Sequence, residues 1–470
     1  MKTRDFQKMG IPPGPCMVMA QQMLQRAHTS KASATAVLDG MRRVAADPSA
    51  FVRDDSWGTF ARLLQEHAGE LRPFVPRASA APYRIWGEGL EPDAVRQLQN
   101  ACRLPVSVAA ALMPDAHVGY GLPIGGVLAT HEAVIPYAVG VDIACRMKMT
   151  VLDLPVATLD DRADRLTSAI ERETRFGVGA TFKARRQHDV MDADWGASRV
   201  TAGLKDRAWS QLGTSGSGNH FVEFGELHVH DAAAGLAPGT YLALLSHSGS
   251  RGTGAQIAQH FSRLAKSLHP ELPQELANLA WLDLSSEAGQ EYWAAMELMG
   301  RYAAANHALI HASIARALGV EVMLDIENHH NFAWRETHTL QDGSRREVIV
   351  HRKGATPAGQ GVLGIIPGSM ATPGYIVRGR GSTASLGSAS HGAGRRMSRT
   401  RAKAEFTWDE TMRVLRARGV TLLSAGLDEV PMAYKDIDEV MRAQDDLVEP
   451  LARFEPRLVK MAPSGEPPED

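Results

Sequence analysis

Ser390-His391-Gly392-Ala393-Gly394-Arg395 sets a histidine in a frame of small residues with an arginine close behind it. The frame lies near the end of a longer stretch, residues 348–404, that holds no Asp or Glu, nine Lys and Arg, and eleven glycines. Glycine lets backbone approach a ligand closely, and basic side chains without acids beside them attract phosphate. The whole chain has a formal net charge of -2, so this positive charge is a local concentration. The stretch reads as built to bring a polyphosphate or a nucleic-acid backbone up to His391.

Outward from it, short apolar runs alternate with long helical patterns from Tyr83 onward, which predicts a mixed α+β scaffold. Strands are expected at 126–130, 220–224, 241–245, 321–326, 348–351 and 420–423. Helices are expected at 159–172, 253–267, 290–318 and 437–444. The glycine-rich segments between them are expected to be loops. Residues 1–80 read differently, as a helical module. Pro12-Pro13-Gly14-Pro15 can start a helix, and helical periodicity follows at 35–46 and 56–68. Pro73, Pro76 and Pro82 then mark a linker. The module carries no chemical motif and reads as a packing appendage of unknown role. Residues 81–461 form the expected catalytic domain, and 462–470 an acidic, disordered tail.

Bulk properties narrow the class. The chain has 470 residues and 44% hydrophobic content, ordinary for a globular protein. No run of about 18 apolar residues suggests a membrane span, and no apolar segment follows Met1 as a leader would require. Three cysteines, Cys16, Cys102 and Cys145, are too few for a disulfide framework. A cytoplasmic, reduced protein is expected, with any special cysteine a ligand or nucleophile.

Candidate metal ligands stand at loop edges. Asp142 and Cys145 lie three residues apart. Asn219-His220 follows the flexible run Gly213-Thr214-Ser215-Gly216-Ser217-Gly218. His247 opens a Ser-Gly-Ser-Arg turn after an apolar strand, and His330 follows another strand. Imidazole, thiolate and carboxylate together suit a borderline divalent ion such as Mn or Zn, and one thiolate can bridge two ions. His329 and His330 are adjacent, so on extended chain only one can enter a given site. His307 and His311 lie one helical turn apart, but Ala308 stands where a zinc protease needs Glu, so that pair reads as structural.

Taken in order, these segments resemble the RtcB-type RNA ligases. The likeness runs through Met113-Pro114-Asp115-Ala116-His117-Val118-Gly119-Tyr120-Gly121, Val139-Gly140-Val141-Asp142-Ile143-Ala144-Cys145, Gly218-Asn219-His220-Phe221-Val222-Glu223, His247-Ser248-Gly249-Ser250-Arg251 and His330-Asn331. It continues through His351-Arg352-Lys353-Gly354-Ala355, Pro367-Gly368-Ser369-Met370, the His391 frame and Ala433-Tyr434-Lys435-Asp436. It spans about Tyr83 to Lys460 and leaves the first 80 or so residues outside.

The resemblance implies packed β-sheets surrounded by helices, two Mn ions and GTP. Asp142, Cys145 and His220 would hold one ion, and Cys145, His247 and His330 the other. His391 would accept GMP, with Asn219 beside the phosphates. Glu223, Ser369, Gly394, Tyr434 and Lys460 would surround guanine, Glu223 accepting from N1 and N2 and Lys460 donating to O6. Arg251 and Arg395 match arginines needed for activity. The implied reaction joins an RNA 3′-phosphate or 2′,3′-cyclic phosphate to a 5′-hydroxyl, in tRNA splicing or RNA repair. An activating partner protein is open. Two departures stand out: Arg146, where many members have Gly, would crowd or recharge the metal pocket, and Gly374 replaces an expected hydroxyl residue. Arg378, Arg380, Arg396, Arg399, Arg401 and Lys403 are candidates for an RNA backbone track. Two rival readings are a metal phosphoesterase that opens cyclic phosphates without joining ends, and a noncatalytic RNA-binding protein.

Overall fold

The computed structural model describes residues 5–6, 9–12, 14–29, 33–67, 74–232, 234–340 and 342–466. Pro13, Ala68 and Pro73, which figure in the expected helices and linker, and tail residues 467–470 lie outside the described residues. The chain divides into two compact units, Met1–Val75 with Leu264–Ala277, and Pro76–Arg263 with Asn278–Asp470.

The first unit contains helices Pro15–Thr29, Ala34–Ala46 and Gly58–Glu66. Proline opens the first, and the Ser33 hydroxyl caps the second by accepting from the Ala36 N–H. Their apolar faces meet in a core that includes Phe6, Ile11, Met41, Val44, Phe60 and Leu64. Gly40 lies under the Trp57 ring, where a Cβ would come within 2.1 Å of a ring carbon.

The second unit is built on two large sheets. One has five strands in the order Tyr83–Ile85, Ser107–His117, Ile124–Thr130, Arg345–Lys353 and Phe332–Thr339. The other runs Leu363–Ile366, Gly374–Gly379, Val448–Met461, Phe221–Val229, Gly239–Ser248, Arg146–Leu152 and Val322–His329, with Thr421–Ser424 pairing parallel to Val448–Met461. This second sheet curls until its edges meet. The Asn328 side chain closes the seam, its amide oxygen accepting from Ile365 N at 2.8 Å and its amide nitrogen donating to Ile365 O at 3.2 Å. An asparagine thus supplies a peptide-like pair where no strand pairing does. Met147, Met149, Leu245, Ile326, Ile376 and Phe454 share one core on one face of the curled sheet. Alternate residues Val222, Phe224, Leu242 and Leu244 face the other way, against Ile310 and Ile314 of helix Glu287–Leu318 and Leu166 and Ile170 of helix Ala163–Glu173. The long helix starts at a Ser286 cap and ends on Gly319 at φ 61. The fold is α+β, packed sheets with helices around them.

The glycine-rich stretch 348–404 corrects one expectation. It is not all loop: Ala355–Pro357, Leu363–Ile366, Gly374–Gly379 and Ser388–Ser390 are strands. Glycine serves close backbone approach here, since a Cβ on Gly379 would lie 2.3 Å from Gly359 O. In the expected tail, Glu466 accepts from Val178 N at 3.1 Å. Among the described residues no helix is long and apolar enough to cross a membrane.

Candidate active site

One end of the curled sheet gathers the candidate ligands because neighbouring strands begin or finish there. Cys145 immediately precedes Arg146–Leu152 and His220 precedes Phe221–Val229, while His247 ends Gly239–Ser248 and His330 follows Val322–His329. Cross-strand register brings Arg146 opposite both Ser248 and His329, which aligns these ends.

Two sets of three donors result, each within 4.8 Å: Asp142, Cys145 and His220, and Cys145, His247 and His330. Cys145 belongs to both. Its Sγ lies 3.4 Å from His220 Nε2 and 3.0 Å from His247 Nε2, and the His247 and His330 Nε2 atoms are 3.2 Å apart. His247 Nδ1 donates to Asn219 O at 3.1 Å, so its Nε2 turns a lone pair toward the sulfur. Burial pushes His247 down to about 3 and His330 well below the usual imidazole range, which keeps both neutral. Burial raises the Asp142 carboxyl, but hydrogen bonding and charge from His220, then Arg251, outweigh it and hold it below the usual carboxylate range. Buried, neutral imidazoles converging on a thiol and a carboxylate fit a borderline divalent cation. A Cβ on Gly249 would come 2.1 Å from Asp142 Oδ2, so only glycine admits that carboxylate.

Arg251 lies beneath this cluster. Its Nη2 donates to His220 Nδ1 at 3.0 Å, and its guanidinium fills the space a Cβ on Gly216 would take, 1.3 Å away. His329 packs on Phe332 and Trp334 instead of entering the site. His307 and His311 share the Ser246 hydroxyl, each at 2.8 Å, in a buried polar chain beside the long helix.

His391 is the next layer. Its ring lies 4.9 Å from that of His330, edge to face. Its Nδ1 donates to Oδ2 of buried Asp115 at 2.7 Å, which leaves the ring's lone pair on Nε2. Lys435 brackets Asp115, its Nζ donating to the carbonyls on either side, Pro114 O at 3.0 Å and Ala116 O at 2.7 Å. Gly394, at φ 73, has no room for a Cβ against Asp115 O. Asp115 thus joins the candidate site, although the sequence motif that contains it gave it no role. Its signal was an acid two residues before His117 at the end of a strand.

Two cavities share His391 as a wall, together with His117, Asn219 and Arg395. The smaller, about 110 Å³, is lined by Glu223, Ser369, Thr372, Gly394 and Tyr434, among others. Burial pushes the Glu223 carboxyl well above the usual range. Thr372 is a second residue the sequence reading missed. Its hydroxyl lies 2.8 Å from Ser369 Oγ and accepts from Ser369 N at 2.7 Å, so a hydroxyl lines the pocket although position 374 is glycine. Arg395 lies over the Tyr434 ring at 5.3 Å and reaches Glu429 Oε2 at 3.3 Å. The larger cavity, about 440 Å³, exposes Asp142, Cys145 and His330.

Three expectations meet a different geometry. Lys460 does not reach the smaller cavity: it pairs in register with Val222, whereas Val459 pairs with Glu223 and Met461 with Phe221. Directly opposed residues share a face, so Lys460 points to the other side, 5.9 Å from the Phe176 ring. Arg146 does not crowd the metal pocket either. It faces away from Met147 and His247 and binds Glu327 Oε1 at 2.9 Å and Gly300 O at 3.2 Å. The proposed RNA track is interrupted, because Arg399 and Lys403 pair with Asp428, Arg401 with Glu405 and Arg378 with Glu449. Arg380 and Arg396 remain exposed.

Residues 97–197 and 191–461 match the family described as tRNA-splicing ligase RtcB. The chain belongs to the RtcB family. It is 35% identical over 403 residues to RNA-splicing ligase RtcB1 of Escherichia coli, covering 78% of this chain and 94% of that protein. It is 34% identical over 437 residues to tRNA-splicing ligase RtcB of Nanoarchaeum equitans, covering 77% and 90%. Against RNA-splicing ligase RtcB of Mycobacterium tuberculosis the figures are 35% over 430 residues, 77% and 98%. The matched span contains every residue of the two donor sets, His391, the whole lining of the smaller cavity and all of the larger one's except Glu91.

Proposed function

We propose that this RtcB-family chain is a GTP-dependent RNA ligase that joins a 3′-phosphate or 2′,3′-cyclic phosphate end to a 5′-hydroxyl end, in tRNA splicing or RNA repair. The observation that carries the reading is His391, set between the cavity holding Glu223 and the chamber lined by Asp142, Cys145 and His330, three members of two donor triads that share the Cys145 thiol. A nucleotide on one side of the histidine can then be handed to a polynucleotide end on the other.

In the first step His391 Nε2 attacks the α-phosphorus of GTP. A P–N bond forms, the α–β P–O bond breaks, and pyrophosphate leaves. Asp115 keeps the proton on Nδ1 and stabilises the positive charge that develops on the ring. Glu223 selects guanine by accepting from N1 and N2, an arrangement adenine cannot match. Arg395 and Asn219, which line both cavities, contact the phosphates. Water opens a cyclic end to the 3′-phosphate. One of its oxygens attacks the GMP phosphorus, and the P–N bond breaks to free His391. The 5′-hydroxyl oxygen of the second strand then attacks the activated 3′-phosphorus and GMP leaves. Two divalent ions, Mn in this reading, would be held by the Asp142–Cys145–His220 and Cys145–His247–His330 sets and would offset phosphate charge during these displacements.

The decisive experiment mixes the protein and Mn with GTP labelled in the α-phosphate. An acid-labile, covalent label is expected, absent in His391→Ala. If the wild-type chain takes no label under conditions where it binds GTP, the ligase reading fails.

A further inference from the structure

The larger chamber has an inner end at Cys145, His330 and His391 and an outer mouth where Tyr120 stands. Tyr120 is 72% exposed and its neighbour Val118 45%, which sets two large apolar side chains in solvent on one short loop. That loop is not loose. Gly119 N donates to Gln97 Oε1 at 3.0 Å and Gln97 Nε2 returns a bond to Gly119 O, so helix Pro92–Cys102 grips it from one side. Glu91, at the start of the same helix, accepts from Val118 N at 3.4 Å, and from the other side the buried Lys353 side chain donates to Tyr120 O. Gly121, at φ 75, packs where a Cβ would lie 2.8 Å from Asn278 O. The backbone is therefore pinned on both sides while the aromatic ring it carries is left uncovered. An uncovered ring on a fixed mount gains free energy only when something flat covers it.

We propose that the larger chamber seats the terminal nucleotide of an RNA strand, and that Tyr120 stacks on its base while the end phosphate reaches toward His391. This rests on the ligase reading above and names a residue that binds the polynucleotide. A single-stranded end suits the site because its base is free to stack, whereas a paired base is not. Stacking on one aromatic ring is also tolerant of base identity, as an enzyme joining varied ends needs.

The test separates binding of RNA from the nucleotide step, which needs no RNA. Tyr120→Ala should label with GTP as the wild type does. Its KM for a 3′-phosphate strand, read in activation of that strand by GMP, should rise about 5- to 150-fold, the span of stacking on one aromatic side chain. Tyr120→Phe and Tyr120→Trp should restore the wild-type KM. A 3′-phosphate strand with an abasic terminal nucleotide should lose the same factor on the wild type and nothing further on Tyr120→Ala. An unchanged KM for the 3′-phosphate strand in Tyr120→Ala, or independent losses from the abasic end and the mutation, would overturn the proposal. A wild type that takes up GMP and joins RNA while Tyr120→Ala matches it throughout sinks this inference and leaves the ligase reading standing.

Discussion

Replacing Asp115 by Asn tests the arrangement on which the nucleotide step depends. The carboxylate is buried and lies 2.7 Å from His391 Nδ1. When Nε2 bonds to phosphorus while Nδ1 keeps its proton, the ring gains positive charge beside that carboxylate. Unit charges at this distance attract by about 6 kcal/mol at an effective dielectric constant near 20. The amide oxygen of Asn still accepts a neutral hydrogen bond, which returns about 1–1.5 kcal/mol. Only part of the charge has developed at the transition state, so a net loss of about 4 kcal/mol is expected, roughly a 10³-fold slower labelling of the protein by GTP. The assay is single-turnover covalent labelling at saturating GTP, with thermal unfolding and bound metal measured on the same samples. Both should stay near wild type, because Asn keeps the shape of Asp and Asp115 belongs to neither donor set. Labelling within about tenfold of wild type would show that His391 does not depend on this carboxylate, and the assigned nucleophilic nitrogen would fall with it.

The other predictions follow from neighbouring geometry. Cys145→Ser removes the atom common to both donor sets, so Mn retained after gel filtration should fall from about two ions per chain to below one, measured by elemental analysis, whereas His391→Ala should retain both. Glu223 is held protonated by burial, and guanine's two donors favour its ionised form, so guanine binding should release a proton. Guanine nucleotide affinity should therefore rise with pH above the ordinary carboxylate range, read by calorimetry in buffers of different ionisation enthalpy. The free protein should move oppositely: Glu223's contribution to stability is fully present below its unfolded pKa of about 4.3 and declines as pH rises toward the raised folded value, a component of the pH profile that Glu223→Gln should remove. Gly216→Ala drives a Cβ into the Arg251 guanidinium at φ 85, and should cost about 1–3 kcal/mol in thermal unfolding together with most of the activity. Lys460→Ala should leave the GTP-over-ATP preference within about threefold, since its side chain faces away from Glu223; a collapse of that preference would restore the O6 contact.

Much of the scaffold was legible because its signals are local. The long helix 287–318 carries a serine cap, apolar periodicity and a terminal glycine, and each is readable without knowing what packs against it. Strand Val448–Met461 was not, because Pro450 and Pro456 argue against a strand in the middle of a sheet. The sheet accommodates them with register shifts, between Ile376 and Val377 beside Pro450 and between Pro456 and Leu458. Strand Arg146–Leu152 was hidden for a different reason. Its alternate residues Arg146 and Lys148 look solvent-facing, yet both are buried against Glu327 and Asp325, acids contributed from 177 or more positions away. Alternation marks the strand; only the partner strand explains the buried charge.

The same limit governs the reading of charge around His391. A stretch without acids in sequence is not without acids in space. Glu336 grips Arg352 bidentately, with bonds of 2.6 and 2.9 Å, and Glu429 reaches Arg395 and Arg399. The net positive field that the stretch suggests is therefore reduced where the fold closes over it, and the RNA track loses members to structural ion pairs. What sequence cannot carry at all is strain. Ala144, Arg251 and Asn331 adopt φ of 58, 57 and 56, an unfavourable region for side chains other than glycine, and they flank Cys145, Gly252 and His330. Each costs on the order of 1 kcal/mol and persists only where surrounding bonds over-determine it, such as Ala144 N to Asn331 O at 2.8 Å and His330 N to Cys145 O at 2.9 Å. Those two bonds lock the cysteine segment and the histidine segment together, so the strained backbone fixes the distance between two donors before any ion arrives. A metal bound at a site prepared in this way would spend little of its binding energy on assembling ligands.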